Sequence, residues 1–390
     1  MGAPPFLPYP PLPHTPALGL YIHVPFCRSR CHFCAFYLQI YRQDRAQAYL
    51  KALVNEIRLH AEQGTIGGRL LDTVYFGGGT PTALQPSALC GILSCVQTHF
   101  GLRPHAEITV EAHPDTVTAD GLAQLAQKGF NRISFGVQSL DETELANIGR
   151  SGFSETTHEA VAAAHRAGFT NINLDLIYGL PGQTLKSWRT TVETAIELHP
   201  THVSCYALTV EEDTRLIIDI RRGDRTGPEE LLQNAMEDEA GSQLTVAGFD
   251  RYEISNYCRS GYACRHNKLY WEGGDYLGVG PSAQSYVNGD RFGAIDDLAE
   301  YQTLSAAGRL PIAEHECLGP ERRRREAVVF GLRLTEGLSR ESLLAHDVDP
   351  DWKAKVVQLL SEGWLEETGG RIKFTDAGRR CADSVAVELL

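Results

Sequence analysis

Three cysteines stand within eight residues, as Cys27-x3-Cys31-x2-Cys34, and seven others are spread along the chain. Three thiols this close read as metal ligands rather than as parts of a disulfide framework. They could hold three irons of a [4Fe–4S] cube and leave the fourth iron open to an outside ligand. A structural zinc site of three cysteines with His23 or His32 is the other reading of the spacing. Such a site draws its fourth ligand from a recognisable second knuckle, and the sequence has none. A second feature is Phe76-Gly77-Gly78-Gly79-Thr80-Pro81. Its glycines let the backbone approach a ligand closely or turn through positive φ. No Gly-Lys-Ser/Thr follows, so this is not a phosphate-binding P-loop.

The elements that must position these groups follow from short β-branched or aromatic runs alternating with helical patterns. Strands are predicted at 18–24, 73–76, 107–111, 132–137, 172–177 and 203–208. Tyr49, Leu50, Leu53, Val54 and Ile57 repeat at helical spacing, and further helices are predicted at 83–99, 117–128, 155–167 and 184–198, the last capped by Thr184. Strands separated by helices imply a parallel sheet with crossovers. Six is fewer than the eight of a closed TIM barrel, so the expected fold is α/β, an open partial (βα)6 barrel. Ligands bind at the carboxyl ends of such strands. The cysteine loop, the glycine loop, Glu111, Gln138, Asp175 and Ala207 should therefore converge on one mouth, where several polar groups would bind a polar ligand.

The chain has 390 residues, 43% hydrophobic and 22% charged, with 36 Lys plus Arg against 49 Asp plus Glu, for a net charge of -13. That balance argues against broad binding to nucleic acid or anionic lipid. No apolar run reaches the ~18–20 residues of a membrane span. The proline-rich residues 1–16 lack the basic start and apolar core of a signal peptide and read as a flexible leader. A cytoplasmic protein is expected. Residues 17–300 form the expected barrel and its extension, with a looser pattern from about 210. Residues 310–390 read as a small winged-helix-like domain, with helices at 322–333, 338–345 and 351–362 and a hairpin turning at 368–370. Residues 311–390 carry 15 acidic and 12 basic side chains, so this module reads as a packing unit and not as a DNA binder.

The cysteine spacing with Phe33 inside it, the GGGTP loop and the six-strand run resemble the radical S-adenosylmethionine (SAM) superfamily. Within it, YIHVPFC, VYFGGGTPT, RISFGVQS, NLDLIYGLPGQT and CRHNKLYWEGGDYLGVG resemble the coproporphyrinogen dehydrogenase-like family, from about residue 17 to the C-terminus. The resemblance implies a [4Fe–4S] cluster on Cys27, Cys31 and Cys34. In that superfamily the cluster's open iron is chelated by SAM, which is cleaved to methionine and a 5′-deoxyadenosyl radical. It implies SAM contacts from Tyr21, Phe33, Gly78, Gly79, Thr80, Glu111, Gln138, Arg150, Asp175 and Ala207.

Two features resemble the family's heme chaperones more than its dehydrogenases. Phe36 stands where the dehydrogenases carry a fourth cysteine, and His266-Asn267-Lys268-Leu269-Tyr270-Trp271 matches the chaperones' HNxxYW motif. The resemblance makes His266 a heme ligand. The residues alone read His266 as a histidine satisfied in an aromatic core. Implied partners are heme, apo-hemoproteins and a reductant such as flavodoxin or ferredoxin, with no nucleic acid, and a homodimer is among the assemblies allowed. The alternative functions are an oxygen-independent coproporphyrinogen III dehydrogenase and a related methyltransferase or cyclopropanase. His113, Gly152 and Gln284 depart from the family pattern, where Asn, His and His are usual. Cys90 and Cys95 read as small helix residues, and Cys258 and Cys264 lack a third ligand in a metal-binding pattern. Gly278-Val279-Gly280-Pro281 is rejected as a dinucleotide loop for want of a βαβ context.

Overall fold

The computed structural model describes residues 17–150, 154–345 and 350–390. The leader at 1–16 and Gly152 lie outside these residues. The barrel strands are β1 (Leu18–Val24), β2 (Leu71–Gly78), β3 (Leu102–Ala112), β4 (Arg132–Gln138), β5 (Asn171–Tyr178) and β6 (His202–Ala207). They pair in parallel in chain order. All six fall on the predicted runs.

The six barrel strands sit inside a larger sheet. A seventh parallel strand, β7 (Asp275–Val279), pairs with β1 on its other side. Antiparallel strands extend both edges, giving twelve in one sheet. Asp275-Tyr276-Leu277-Gly278-Val279 is short and flanked by Gly273, Gly274 and Gly280, so the sequence reads as a loop where tertiary pairing makes a strand.

One face of the strands is apolar and lies under the helices. Leu18, Leu20, Ile22 and Val24 of β1 share a core with Tyr49, Leu53 and Ile57 of α1 (Gln43–Glu62). Those three residues recur at helical spacing, which is why the segment folds as an amphipathic helix. The helices α2 (Pro86–His99), α3 (Ala119–Lys128), α4 (Ser154–Ala167) and α5 (Leu185–Glu197) bury their stripes in the same core. Thr184 starts α5 with a reciprocal capping box through Ser187. The 17-residue helix α6 (Glu230–Val246), absent from the sequence reading, packs on α5, and the buried Trp188 Nε1 donates to the Met236 carbonyl at 2.7 Å.

The opposite face looks into the barrel and is polar. Glu107, Thr109 and Glu111 alternate with apolar neighbours on β3, as do Arg132 and Ser134 on β4 and Asn173 and Asp175 on β5. A closed TIM barrel fills this space with branched apolar residues. Here a hydrogen-bonded chain fills it, from Tyr252 hydroxyl to His202 Nε2 (2.9 Å), His202 Nδ1 to Asn173 Oδ1 (2.6 Å) and Asn173 Nδ2 to Asp175 Oδ1 (2.8 Å).

The C-terminal module has its own core of Leu332, Val356, Leu359, Leu365 and Ile372. Helices Pro320–Gly331, Arg340–Ala345 and Pro350–Ser361 precede strands Leu365–Thr368 and Arg371–Phe374. Gly369 and Gly370 turn that hairpin with φ of 59° and 74°, the sign a two-residue type I′ turn requires. Strand Leu338–Ser339 adds a third strand, and helices Asp376–Arg380 and Ala382–Leu389 follow. Ile312–Cys317 pairs with Asp290–Ala294 of the large sheet, so a boundary at 310 falls one strand early. Glu237 of α6 joins the two parts, accepting from Arg251 at 2.6 Å, Arg379 at 3.2 Å and Arg380 at 3.1 Å.

Candidate functional site

At the carboxyl end of β1 the chain leaves the sheet as the cysteine loop. Phe26–Cys27 pairs with Gln39–Ile40 and closes the loop at its base. The glycine loop after β2 is bonded alongside, with Gly79 N–H donating to Val24 O (2.9 Å) and Thr80 N–H to Phe26 O (2.7 Å). A side chain on Gly79 would meet the Phe26 backbone at 2.8 Å, so only glycine permits this approach. Gly78 turns at φ 109°, and a Cβ there would strike the His23 ring at 2.7 Å. The result sets Thr80 Oγ1 3.3 Å from Cys27 Sγ.

The other ligand candidates gather at the same end. Arg150 donates from Nη1 to Cys31 Sγ at 3.8 Å and from Nη2 to the Gly136 carbonyl. Gln138 ends β4 with φ 68°, past a register shift, and its amide stands over Gly136 beside Arg150. Glu111 accepts the Tyr75 hydroxyl at 2.8 Å. Burial and then the Asp175 charge raise its carboxyl to about 7, against bonds from Tyr75 and the Gly78 amide. Asp175 accepts Ser134 Oγ at 2.8 Å. Tyr21 hydroxyl meets His23 Nδ1 at 3.2 Å, Ala207 is exposed at the end of β6, and Phe33 packs against a small apolar cluster that includes Leu145, Ile148 and Leu216. His113 lies close enough to Arg150 and Arg28 that burial, then those two charges, hold it neutral with a pKa lowered to about 3.

The three thiols suit a cationic metal group. Burial raises the Cys27 and Cys34 thiols, and neighbouring cysteine charges raise both further. Three mutually repelling thiolates need a cationic partner to coexist. A four-iron cube takes one thiolate per iron, so three cysteines leave one iron for an outside ligand.

His266 lies at the opposite, amino-terminal end. It is on α7 (Arg265–Trp271), whose first backbone amides are capped by Glu107, from Arg265 N–H and His266 N–H at 3.1 Å each. His266 Nδ1 meets Thr73 Oγ1 at 2.7 Å, Nε2 meets Tyr270 hydroxyl at 2.9 Å, and the ring stacks on Tyr75 at 5.0 Å. Burial and then the Arg132 charge lower its pKa to about 3. In this conformation it is the satisfied aromatic-core histidine of the residue-level reading. Cys264 is also buried, its thiol facing Glu107 and pushed up to about 12 by burial. Gln284 sits on a strand of the sheet extension, beside Glu314.

Sequence reasoning missed Glu107, Arg132, Asn173, His202 and Tyr75, which line the barrel between its two ends. The available signal was alternation within each strand, which ordinarily marks a solvent-facing side.

The pattern of the radical SAM superfamily matches residues 21–195, and that of the HemN C-terminal domain matches residues 318–381. The chain is 36% identical over 386 residues to the heme chaperone HemW of Mycobacterium tuberculosis, covering 97% of this chain and 96% of that protein. It is 31% identical over 372 residues to the HemW of Bacillus subtilis, covering 94% and 97%. The chain belongs to the HemW family of radical SAM proteins. The mitochondrial radical SAM domain-containing protein 1 of Bos taurus is 32% identical over 348 residues, covering 86% of this chain and 77% of that protein. Among solved structures, the coproporphyrinogen III oxidase HemN of Escherichia coli superposes with a TM-score of 0.82 at 26% identity, covering 96% of this chain and 90% of that one.

HemW membership within the radical SAM superfamily brings a [4Fe–4S] cluster and SAM, and the residues at the mouth suit both. The cluster supplies one-electron reduction of SAM when bound. Arg150 and Thr80 hydrogen-bond two of the cysteine sulfurs, a contact that orients metal ligands and tunes them. Glu111 and Asp175 present two carboxyl groups at the same mouth.

Proposed function

We propose that this chain is a heme chaperone that binds a [4Fe–4S] cluster and SAM at the barrel mouth and delivers heme to apo-hemoproteins. The observation that carries the reading is likeness to HemW chaperones across nearly the whole of both chains, C-terminal module included. Cys27, Cys31 and Cys34 hold the cluster. Tyr21, Phe33, Gly78, Gly79, Thr80, Glu111, Gln138, Arg150, Asp175 and Ala207 bind SAM, and His266 ligates the heme iron through a neutral ring nitrogen. A flavodoxin or ferredoxin supplies electrons, and the protein works in the cytoplasm, alone or as a homodimer. No helix among the described residues is long and apolar enough to cross a membrane.

The second reading, a coproporphyrinogen III dehydrogenase, draws on the HemN-like fold. Phe36, at the position of the dehydrogenases' fourth cysteine, speaks against it. The deciding experiment is an anaerobic heme titration of reconstituted protein and of His266→Ala, followed at the Soret band. Saturable binding that the variant loses supports the chaperone and its ligand. No specific binding by the wild type ends that reading and turns attention to porphyrinogen decarboxylation and methyl transfer.

A further inference from the structure

A histidine ligates iron through a lone pair on a ring nitrogen. In this structure both nitrogens of His266 are already engaged inside the protein, by Thr73 and by Tyr270. The ring is buried, 1% exposed, between Tyr75 and Tyr270. Tyr270 lies on α7 itself and travels with His266, so the bond that the seat imposes is the one to Thr73; while α7 keeps this seat, Nδ1 is not free to ligate.

Contacts on the outer side of α7 come from the C-terminal module. Trp271 packs against Phe330 with ring centroids 6.3 Å apart, and the Arg333 guanidinium lies over its ring at 4.8 Å. Upstream of α7, beyond the strand Asn256–Cys258, Glu253 pairs with Leu334 as an isolated bridge, and Thr335 N–H donates to the Tyr252 carbonyl at 3.0 Å. All four module residues fall within 330–335, so one short stretch holds both Trp271 at the end of α7 and the chain at 252–253.

Two features mark this seat as one the segment can leave. The Trp271 indole N–H is buried without a hydrogen-bond partner, a penalty the seated state carries and release removes. Gly261 and Gly273 bracket the segment with φ of 85° and 69°, and no side-chain crowding surrounds Gly261. Such residues absorb the dihedral change of a hinge. Inside, α7 is held by ring contacts and the buried Leu269 together with hydrogen bonds from Thr73 and Glu107, and those bonds water or a ligand can replace.

We infer that α7 is a gated element whose seated state withholds His266, and that residues 330–335 of the C-terminal module are the latch that keeps it seated. Heme ligation through His266 then follows release of α7. The gating rests on the heme-chaperone reading, whereas the latch is a statement about the fold alone.

Two latch variants, Phe330→Ala and Arg333→Gln, separate these. Phe330 is 37% exposed, so its truncation leaves the module core intact. Amide exchange across 265–271 is read by mass spectrometry, and heme association by stopped-flow at the Soret band, both in the full chain. Losing the aromatic and cation–π contacts should raise exchange by about five- to tenfold in each variant. Heme association should speed by a similar factor, with SAM affinity unchanged. Unchanged exchange at 265–271 in both variants overturns the latch. Faster exchange without faster association, in a wild type that binds heme through His266, overturns the gating. A wild type that takes up no heme removes the chaperone reading and the gating with it, and the exchange measurement still decides the latch.

Discussion

Glu111 sits where the mouth, the barrel lining and the SAM candidates meet, and its titration should be visible in ligand binding. Burial and the Asp175 charge hold its carboxyl at about 7, so a large part of its charge is lost near neutral pH. SAM carries a permanent sulfonium charge and binds the carboxylate form better than the acid. For a group titrating at 7, about one copy in ten is ionised at pH 6 and about nine in ten at pH 8. Affinity should therefore rise about tenfold from pH 6 to pH 8, or roughly 1.4 kcal/mol, and level off above. Glu111→Gln keeps an acceptor for the Tyr75 hydroxyl and removes the titration. Anaerobic calorimetry at pH 6, 7 and 8 on cluster-loaded wild type and variant makes the comparison. Titration of SAM itself contributes equally to both proteins, so the difference in slope belongs to Glu111. A wild-type affinity flat over this range, or a variant that keeps the wild-type slope, refutes the reasoning. Iron content should be equal in both, since Glu111 is not a cluster ligand.

Two further outcomes are expected. Cys31→Ala should lose the absorption near ~400 nm and most of its bound iron after reconstitution, with far-ultraviolet circular dichroism unchanged; a full iron and sulfide complement would remove Cys31 from the cluster. Glu56 is 1% exposed and bonded by Tyr301 hydroxyl at 2.5 Å and Gly280 N–H at 2.8 Å, and burial raises it to about 7. Its folded value lies above its unfolded one, so its contribution to stability falls as pH rises from about 4.5 through about 7, by roughly 3 kcal/mol. Glu56→Gln should gain on the wild type by up to that amount between pH 5 and pH 8 in urea unfolding of the cluster-free protein; an equal difference at both pH values would show that burial does not penalise the charge.

Each barrel strand was legible because its outward residues are apolar, many of them β-branched or aromatic, and its neighbours are amphipathic helices with clear stripes. The two loops at the mouth were legible for a related reason: Cys27, Cys31, Cys34 and the glycines at 77–79 are local signals that need no tertiary knowledge. The pairing of β7 with β1 was not, because Gly273, Gly274 and Gly280 around it signal turns and the partner lies some 250 residues earlier. The helix α6 was hidden by its mixed composition, with apolar Leu232, Met236 and Leu244 diluted by Asn, Glu, Gly and Ser. His266 was placed by its motif, yet the sequence held no sign that Glu107, more than 150 residues away, caps its helix.

The barrel keeps its apolar jacket and its polar lumen on separate faces of the same strands. Folding energy comes from the jacket, where Leu20, Ile22, Val74, Val110, Ile133 and Leu174 are sealed under helices. Chemistry belongs to the lumen, where Ser134, Asn173, Ser204 and His202 need only satisfy one another. Substitution of the lumen as a hydrogen-bonded set leaves the jacket untouched, so the architecture tolerates a change of cargo far more readily than a change of core. A scaffold divided in this way is a natural host for divergence, since its inner surface drifts under the demands of a ligand while its outer layer answers only to packing.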